Sequence, residues 1–151
     1  MPRKIILVED NPADAMTMRF AIADTDPTIE TMVLEDGAQA VQFFSDAAKR
    51  GENRPCDLIL LDLNLPLVDG FEVLEYLKTE PTLKRIPVVV LSGSSSSQDI
   101  DRCYALDANS YVSKPAGIDQ VMEMTGHLIS FWFKYAQMAG AQQAVRAANS
   151  L

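Results

Sequence analysis

The chain has 151 residues, of which 48% are hydrophobic, so it can bury the core of one folded domain and is not typical of a disordered protein. Its 21 acidic and 13 basic residues give a formal net charge of -8, which argues against non-specific binding to nucleic acid or to an anionic membrane. No apolar run approaches the length of a membrane-spanning helix, and the N-terminus does not resemble a signal peptide, so we expect a cytoplasmic protein.

Short aliphatic runs alternate with helical patterns along the chain. Strands are predicted over residues 5–8, 28–34, 58–61, 86–91 and 109–112. Helices are predicted over residues 13–24, 38–49, 71–78, 98–106 and 117–138, and the first should present one face that contains Ala13, Met16, Phe20 and Ala21. Five repeats of strand then helix predict a parallel sheet with helices on both faces.

The third predicted strand is the most apolar segment of the chain. Leu58 to Leu61 is a continuous aliphatic run, and Pro66 and Gly70 mark the loop that follows it. Such a run is typical of a strand that is buried on both faces of a parallel sheet. Asp62 comes next, where the strand leaves the core, and the carboxyl ends of parallel strands are where open α/β sheets bind ligands. A carboxylate at this position needs a partner, because burying it unpaired is costly.

Other predicted strands also end in polar residues. Glu9 and Asp10 follow the first strand, Ser92 the fourth and Lys114 the fifth. Because the carboxyl ends of parallel strands share one edge, we expect these side chains to meet Asp62. Clustered carboxylates repel one another unless a cation binds, and Mg²⁺ prefers oxygen ligands. With a lysine and a hydroxyl available to hold a phosphoryl group, the cluster predicts phosphoryl transfer to an aspartate.

Taken one at a time, these polar residues have ordinary structural explanations. Glu9 and Asp10 precede Asn11-Pro12, which is typical of a helix start, and Ser92 could simply end a strand. Their joint occurrence at four strand ends, in the order that a parallel sheet requires, is what favours a functional site.

With these motifs, the chain resembles the receiver domains of two-component response regulators over residues 3–138. The matching residues are Glu9-Asp10, Asp62 within LLDLNLP, Asp69-Gly70, Ser92-Gly93, Tyr111 and Lys114-Pro115. The resemblance implies a doubly wound (βα)₅ fold with strand order 2-1-3-4-5. It divides the chain into a receiver domain over residues 1–138 and a tail or helix extension over residues 139–151.

The resemblance also implies the roles of the acidic residues. Asp62 would be the phosphoacceptor and one ligand of Mg²⁺. Asp10 would bind the ion directly and Glu9 through water, and the backbone carbonyl of Asn64 would complete the protein ligands. The glutamate at Glu9 departs from the aspartate of many receivers.

Four further residues take their roles from the same resemblance. Ser92 would donate its hydroxyl to the phosphoryl group, and Lys114 would pair with that group. Tyr111 stands where receivers keep an aromatic residue that responds to phosphorylation, and the Lys114–Pro115 peptide would be cis.

Within this family, three segments resemble single-domain regulators that are paired with bacterial and cyanobacterial phytochrome kinases. These segments are RPCDLILLDLNLPLVDGFEVL, LKRIPVVVLSGS and SFWF. The implied function is to accept phosphate from a sensor histidine kinase and to signal through protein contacts, without being a dedicated enzyme. The alternatives are a pseudo-receiver that works without phosphate, an intermediate in a phosphorelay, and a small phosphatase that uses an aspartyl-phosphate. No insertion is long enough to supply the phosphatase with a cap domain.

The last predicted helix has two apolar stripes. The first, sufficient to pack on the sheet, contains Ile118, Val121, Met122, Leu128, Ile129 and Trp132. The second contains Met124, Phe131, Tyr135 and Met138. Exposed apolar patches usually mark interfaces, so the second stripe predicts a homodimer through this helix. The alternative is that the C-terminal tail covers the second stripe within one chain.

Overall fold

A computed structural model describes residues 2–137, and in them five parallel strands alternate with five α-helices. The elements are β1 (Lys4–Val8), α1 (Pro12–Thr25), β2 (Glu30–Leu34), α2 (Gly37–Lys49), β3 (Leu58–Asp62), α3 (Gly70–Thr79), β4 (Val88–Ser92), α4 (Ser97–Ala105), β5 (Ser110–Ser113) and α5 (Ile118–Ser130), which continues into a π-helix (Phe131–Tyr135). The sheet order is β2-β1-β3-β4-β5, which confirms the predicted (βα)₅ fold. None of the described helices is both long enough and apolar enough to cross a membrane. The predicted tail, residues 139–151, lies outside the described residues.

The central strand β3 is buried throughout and contributes to two apolar layers. Successive side chains of a strand point to opposite faces of the sheet, so alternate residues of β3 enter different layers. One layer joins β3 to α2 and α3 and includes Phe44, Ile59, Leu61 and Leu74. The other joins β3 to α1 and α5 and includes Met18, Leu58, Leu60 and Ile129. The five-residue strand therefore delivers its last residue, Asp62, to the carboxyl edge of the sheet.

Helix α1 begins as predicted but buries a different face. The Asn11 side chain accepts hydrogen bonds from two backbone N–H groups of the first turn, and Pro12 occupies the first helical position. Met16 and Phe20, predicted to share the apolar face, are 60% and 63% exposed. Ala13 is exposed as well, and of the predicted face only Ala21 is buried. The other buried residues of the helix are Ala15, Met18 and Ile22. Apolar residues occur around most of this helix, so the sequence pattern alone did not select the face that packs against α5.

Helix α5 ends earlier than predicted. Regular α-helix stops at Ser130, and after the π-helix the backbone of Ala136 is extended, with its N–H donating to the carbonyl of Phe131 at 2.8 Å. The Arg3 guanidinium donates to the carbonyl of Phe133 and lies 4.7 Å from the centre of that ring. These contacts come from the other end of the chain, and a pattern of nearby residues cannot show them. Ile118, predicted to pack on the sheet, is exposed at the start of the helix.

Candidate functional site

The polar residues that follow the strands meet at the carboxyl edge of the sheet, as predicted. Glu9 follows β1, Asp62 ends β3, Ser92 ends β4 and Lys114 follows β5. Glu9, Asp62 and Ser92 are buried, whereas Asp10 is exposed at the opening of the site. A group of buried polar side chains at this edge requires mutual partners, because unpaired polar groups are costly to bury.

Three carboxylates form the acidic part of the site. Glu9, Asp10 and Asp62 each offer an oxygen atom within 4.8 Å of the others. Burial, followed by the neighbouring Asp62 carboxylate, raises the pKa of Glu9 to about 7. This crowding of oxygen ligands fits a hard divalent cation such as Mg²⁺, which would favour the charged form of all three groups. The backbone N–H of Asn64 donates to Asp62 Oδ1 at 3.0 Å, so Asn64 lies beside the same cluster.

Lys114 connects the carboxylates to one another. Its Nζ lies 2.9 Å from Glu9 Oε2, 3.1 Å from Asp14 Oδ2 and 3.2 Å from Asp62 Oδ2. Burial alone would lower the pKa of Lys114, but the paired carboxylates of Glu9, Asp62 and Asp14 raise it above its usual value. The backbone N–H of Lys114 donates to the carbonyl of Ser92 at 2.8 Å, which fixes the start of this side chain relative to β4.

Asp14 is a member of the site that the sequence analysis missed. It lies in the first turn of α1 and contacts Lys114 through Oδ2. Its backbone N–H donates to the capping side chain of Asn11 at 3.1 Å, so the start of the helix places Asp14 over the site. Acidic residues are common in first turns because they interact favourably with the helix dipole, and this ordinary explanation hid the residue. The available signal was a carboxylate one helical turn beyond the Glu9-Asp10 pair.

The loop after β4 is held by a short chain of hydrogen bonds. Ser92 Oγ accepts from the backbone N–H of Ser94 at 3.1 Å. The Ser94 hydroxyl in turn donates to Asp99 Oδ2, in the first turn of α4, at 2.9 Å. The predicted phosphoryl-binding hydroxyl of Ser92 is thereby linked to the start of α4.

Tyr111 is linked to the same loop through its side chain. Its hydroxyl donates to the carbonyl of Ser94 at 2.7 Å, and its backbone N–H donates to the Tyr104 hydroxyl at 3.1 Å. Tyr111 lies on β5 and Tyr104 on α4, so the pair ties the edge strand to the helix beside it. The structure therefore places the Tyr111 hydroxyl against the loop that follows Ser92.

Comparison with known proteins agrees with this geometry. The sequence matches the family described as response regulator receiver domain over residues 5–125. It is 36% identical over 140 residues to response regulator Rcp1 of Synechocystis sp., covering 93% of this chain and 95% of Rcp1. The phosphorylated cyanobacterial phytochrome response regulator RcpA matches with a TM-score of 0.86 at 40% identity, over 93% of this chain and 100% of RcpA. The Mn²⁺-bound form of Rcp1 matches with a TM-score of 0.83 at 36% identity, over 92% of this chain and 100% of that one.

The chain belongs to the response regulator receiver family. Receivers in general accept a phosphoryl group on an aspartate and bind Mg²⁺ at an acidic pocket. The three clustered carboxylates of this receiver and the Mn²⁺-bound structure of its relative Rcp1 are consistent with that metal site.

The loop after β3 of the receiver packs directly beneath Asp62. A Cβ atom on Gly70 would lie 2.5 Å from the carbonyl oxygen of Asp62 and 2.5 Å from the Cα of Leu63, closer than real contacts allow. Asp69 caps α3 by accepting from the N–H of Glu72 at 3.0 Å. The Asp69-Gly70 pair thus starts α3 while letting the loop approach the strand that carries Asp62.

One expectation from the family resemblance is wrong for this receiver. The Lys114–Pro115 peptide was expected to be cis, but no cis peptide bond occurs among the described residues, so it is trans. Peptide bonds before proline differ by only about 0.5–1 kcal/mol between the two forms, so residue identity alone does not decide the isomer.

The second apolar stripe of the receiver's last helix is only partly exposed. Phe131 and Tyr135 are 54% and 74% exposed. Met124, in contrast, is half-buried and packs against the core beside α1 and α5. Met138 lies outside the described residues, so its position is untested. The helix also carries the exposed His127, whose Nε2 is 3.7 Å from Glu123 Oε1.

Proposed function

We propose that this receiver accepts a phosphoryl group on Asp62 from a sensor histidine kinase in the cytoplasm and signals as a free-standing regulator through protein contacts. The observation that carries the proposal is the position of Asp62. It is buried at the end of the central strand, 3.2 Å from the ammonium of Lys114 and within the three-carboxylate cluster. The chain itself provides the acceptor, so we do not propose an enzyme that turns over a small phosphoester.

In the transfer, a carboxylate oxygen of Asp62 forms a bond to phosphorus. The bond from phosphorus to the kinase histidine nitrogen breaks, and its electron pair stays on that nitrogen. The N–H of Asn64 already holds Asp62 Oδ1 at 3.0 Å, which orients the carboxylate. Lys114 and the Ser92 hydroxyl would bind the phosphoryl oxygens, and Mg²⁺ held by Glu9, Asp10, Asp62 and the Asn64 carbonyl would neutralise charge.

The direct test is labelling with acetyl phosphate and Mg²⁺, followed by intact mass measurement. Wild type should gain one phosphoryl group. Asp62→Asn should gain none, because the nucleophilic carboxylate is replaced by a carboxamide. Asp101→Asn, which changes an exposed carboxylate on α4, serves as the matched control and should label like wild type. Labelling of Asp62→Asn at the wild-type level, or labelling that persists in EDTA, would contradict the proposal.

We further propose that the phosphoryl donor is a phytochrome-type kinase. The support is similarity to RcpA and Rcp1, since RcpA is described as a phytochrome response regulator and matches this chain at 40% identity over 93% of its length. Phosphotransfer from a panel of purified histidine kinases would test it. Fastest transfer from a phytochrome kinase is expected, and preference for a kinase of another class would leave Asp62 as the acceptor but refute the phytochrome link.

The proposed response to phosphorylation runs from Ser92 to Tyr111. A phosphoryl group on Asp62 would draw the Ser92 hydroxyl away from the N–H of Ser94, and the Ser94 carbonyl accepts from Tyr111. The loop and the tyrosine would therefore shift population together. Ser92→Ala should still accept phosphate at Asp62 but show smaller NMR shifts near Tyr111 on beryllofluoride addition. An unchanged response in Ser92→Ala would remove Ser92 from the mechanism.

We also propose a homodimer through the end of the last helix. Its support is the exposure of Phe131 and Tyr135 next to a groove lined by Met124, Leu128 and Trp132. Light scattering should show a dimer for wild type and a monomer for Phe131→Glu with Tyr135→Glu, because two buried carboxylates would be costly at the interface. A wild-type monomer at micromolar concentration, with and without phosphate, would refute the dimer and leave the phosphoacceptor assignment standing.

A further inference from the structure

The three carboxylates that contact Lys114 are not equivalent. Glu9 and Asp62 belong to the group of three acids that can hold a metal ion, whereas Asp14 does not. The ammonium of Lys114 has three N–H donors and lies within 3.2 Å of one oxygen from each of Glu9, Asp14 and Asp62. Two of the three partners of Lys114 are therefore shared with the metal site, and one is not.

A divalent cation and the ammonium compete for the shared oxygens. A cation held by Glu9 and Asp62 draws on the same negative charge that pairs with Lys114, and it also repels the ammonium. Lys114 is 12% exposed at its side chain, so water gives it little compensation for a lost carboxylate. Without another anionic partner, Lys114 would either leave the site or oppose binding of the metal.

We propose that Asp14 is a positioning residue that keeps the Lys114 ammonium at the site while a divalent cation occupies Glu9, Asp10 and Asp62. The geometry suits this role, because Asp14 Oδ2 lies 3.1 Å from Lys114 Nζ. Asp14 belongs to α1, whereas the other acids lie at or directly after the ends of strands. The Asp14 side chain is 34% exposed, so its charge is cheaper to maintain than that of the buried pair. The inference rests on the proposed function in one respect, namely that Mg²⁺ and Lys114 act together in the transfer of a phosphoryl group to Asp62.

The ordinary alternative is that Asp14 only stabilises the start of α1. An acid in a first turn interacts favourably with the helix dipole, and this effect does not involve Lys114. The two roles make different predictions for a double-mutant cycle that measures metal binding with and without the lysine.

The experiment is an NMR titration of unphosphorylated protein with magnesium chloride, following backbone amide shifts near Asn64. Asp14→Asn should weaken Mg²⁺ binding by about three- to fivefold, the size expected for one partly exposed ion pair. Asp24→Asn is the matched control, since it makes the same charge change on an exposed residue of α1, about 15 Å away along the helix axis. The control should bind Mg²⁺ within about twofold of wild type.

The cycle is completed in a Lys114→Gln background, where the competing ammonium is absent. In that background Asp14→Asn should weaken Mg²⁺ binding clearly less than it does in wild type. Asp14 then has no ammonium to hold, so its loss removes only one negative charge near the metal site. Asp14→Glu, which keeps the charge, should restore most of the affinity. Thermal melts of each variant check that the domain is folded.

Three results would overturn the role of Asp14. These are an equal loss of Mg²⁺ affinity in both backgrounds, a loss no larger than in Asp24→Asn, and a loss in Asp14→Glu as large as in Asp14→Asn. Because the titration uses no phosphate, its outcome is separate from the labelling test of Asp62. A wild-type protein that binds Mg²⁺ but does not accept phosphate would refute the proposed function alone.

Discussion

Lys114 and Lys78 lie at opposite edges of the sheet, and the first belongs to the candidate functional site whereas the second connects elements of the fold. At the carboxyl edge, Lys114 is surrounded by three carboxylates. At the amino edge, Lys78 Nζ donates to the carbonyls of Lys84 at 3.2 Å and Ile86 at 2.9 Å and to Asn109 Oδ1 at 2.8 Å. Each ammonium has three oxygen partners, but only those of Lys114 are charged.

The two environments shift the lysine pKa values in opposite directions. Burial lowers the pKa of Lys78, because its hydrogen-bond acceptors are neutral and Asp107 offsets the burial only in part. At Lys114 the carboxylates outweigh the cost of burial and raise the pKa. The three acceptors of Lys78 are neutral, so this lysine only joins α3 to the starts of β4 and β5. The carboxylates of Glu9 and Asp62 that pair with Lys114 are also able to bind a divalent cation.

The sharpest test of this contrast is the loss of Lys114. Lys114→Gln leaves Glu9 and Asp62 buried beside each other without a cation, so the free energy of unfolding should fall by about 3 kcal/mol in the absence of Mg²⁺. Mg²⁺ should recover more stability in the variant than in wild type, because it replaces the missing charge. Urea unfolding with EDTA and with Mg²⁺ measures both. Equal stabilisation by Mg²⁺ in the two proteins would show that the ammonium and the cation do not share ligands.

A second test uses pH, because the pKa of Glu9 is raised from 4.5 to about 7 in the folded protein. Between these values the folded state binds a proton that the unfolded state releases. The stabilising contribution of Glu9 is therefore complete below about pH 4.5 and lost as the pH rises through about 7. Without Mg²⁺, the free energy of unfolding should fall by about 2 kcal/mol more between about pH 5 and pH 7.5 in wild type than in Glu9→Gln.

Added Mg²⁺ should reduce the pH dependence of wild type, since the cation favours the charged carboxylate of Glu9. Lys114 contributes nothing to the slope in this window, because its raised pKa keeps it charged throughout. Parallel pH profiles for wild type and Glu9→Gln would show that Glu9 is ionised in the folded protein across the range.

The smallest effect is expected at the amino edge. Lys78→Met keeps most of the aliphatic side chain but removes three hydrogen bonds to partly exposed acceptors, so it should cost about 1 kcal/mol of unfolding free energy. Unlike the change at Lys114, this loss should be the same with EDTA and with Mg²⁺. The same pair of urea titrations measures it, and a loss that Mg²⁺ reverses would place Lys78 in the functional site.

The sequence was sufficient for the architecture because the buried strands are continuous aliphatic runs. Leu58 to Leu61 is typical of a strand covered on both faces, and a parallel sheet brings the residues after each strand to one edge. Glu9, Asp62, Ser92 and Lys114 were predictable as a group for that reason. Their roles in phosphoryl transfer came from the family resemblance.

The features that the sequence did not predict depend on contacts between elements distant in the chain. Phe20 was assigned to a shared apolar face of α1, but the choice of face is made by packing against α5. The early end of α5 coincides with Arg3 at the Phe133 carbonyl, a contact across almost the whole sequence. In the sequence Asp14 resembles an ordinary acid of a first helical turn, because its contact with Lys114 joins residues 100 positions apart.

The Tyr104 hydroxyl has a consequence for how the sheet meets other chains. Strand β5 is an edge strand, and edge strands with free N–H groups invite pairing with strands of other molecules and hence aggregation. The N–H of Tyr111, in the middle of β5, is already bonded to Tyr104 at 3.1 Å. An incoming strand would have to displace a hydroxyl that is held on α4 of the same domain. The hydrogen bond between Tyr104 and Tyr111 therefore also disfavours the addition of a strand from another molecule at β5.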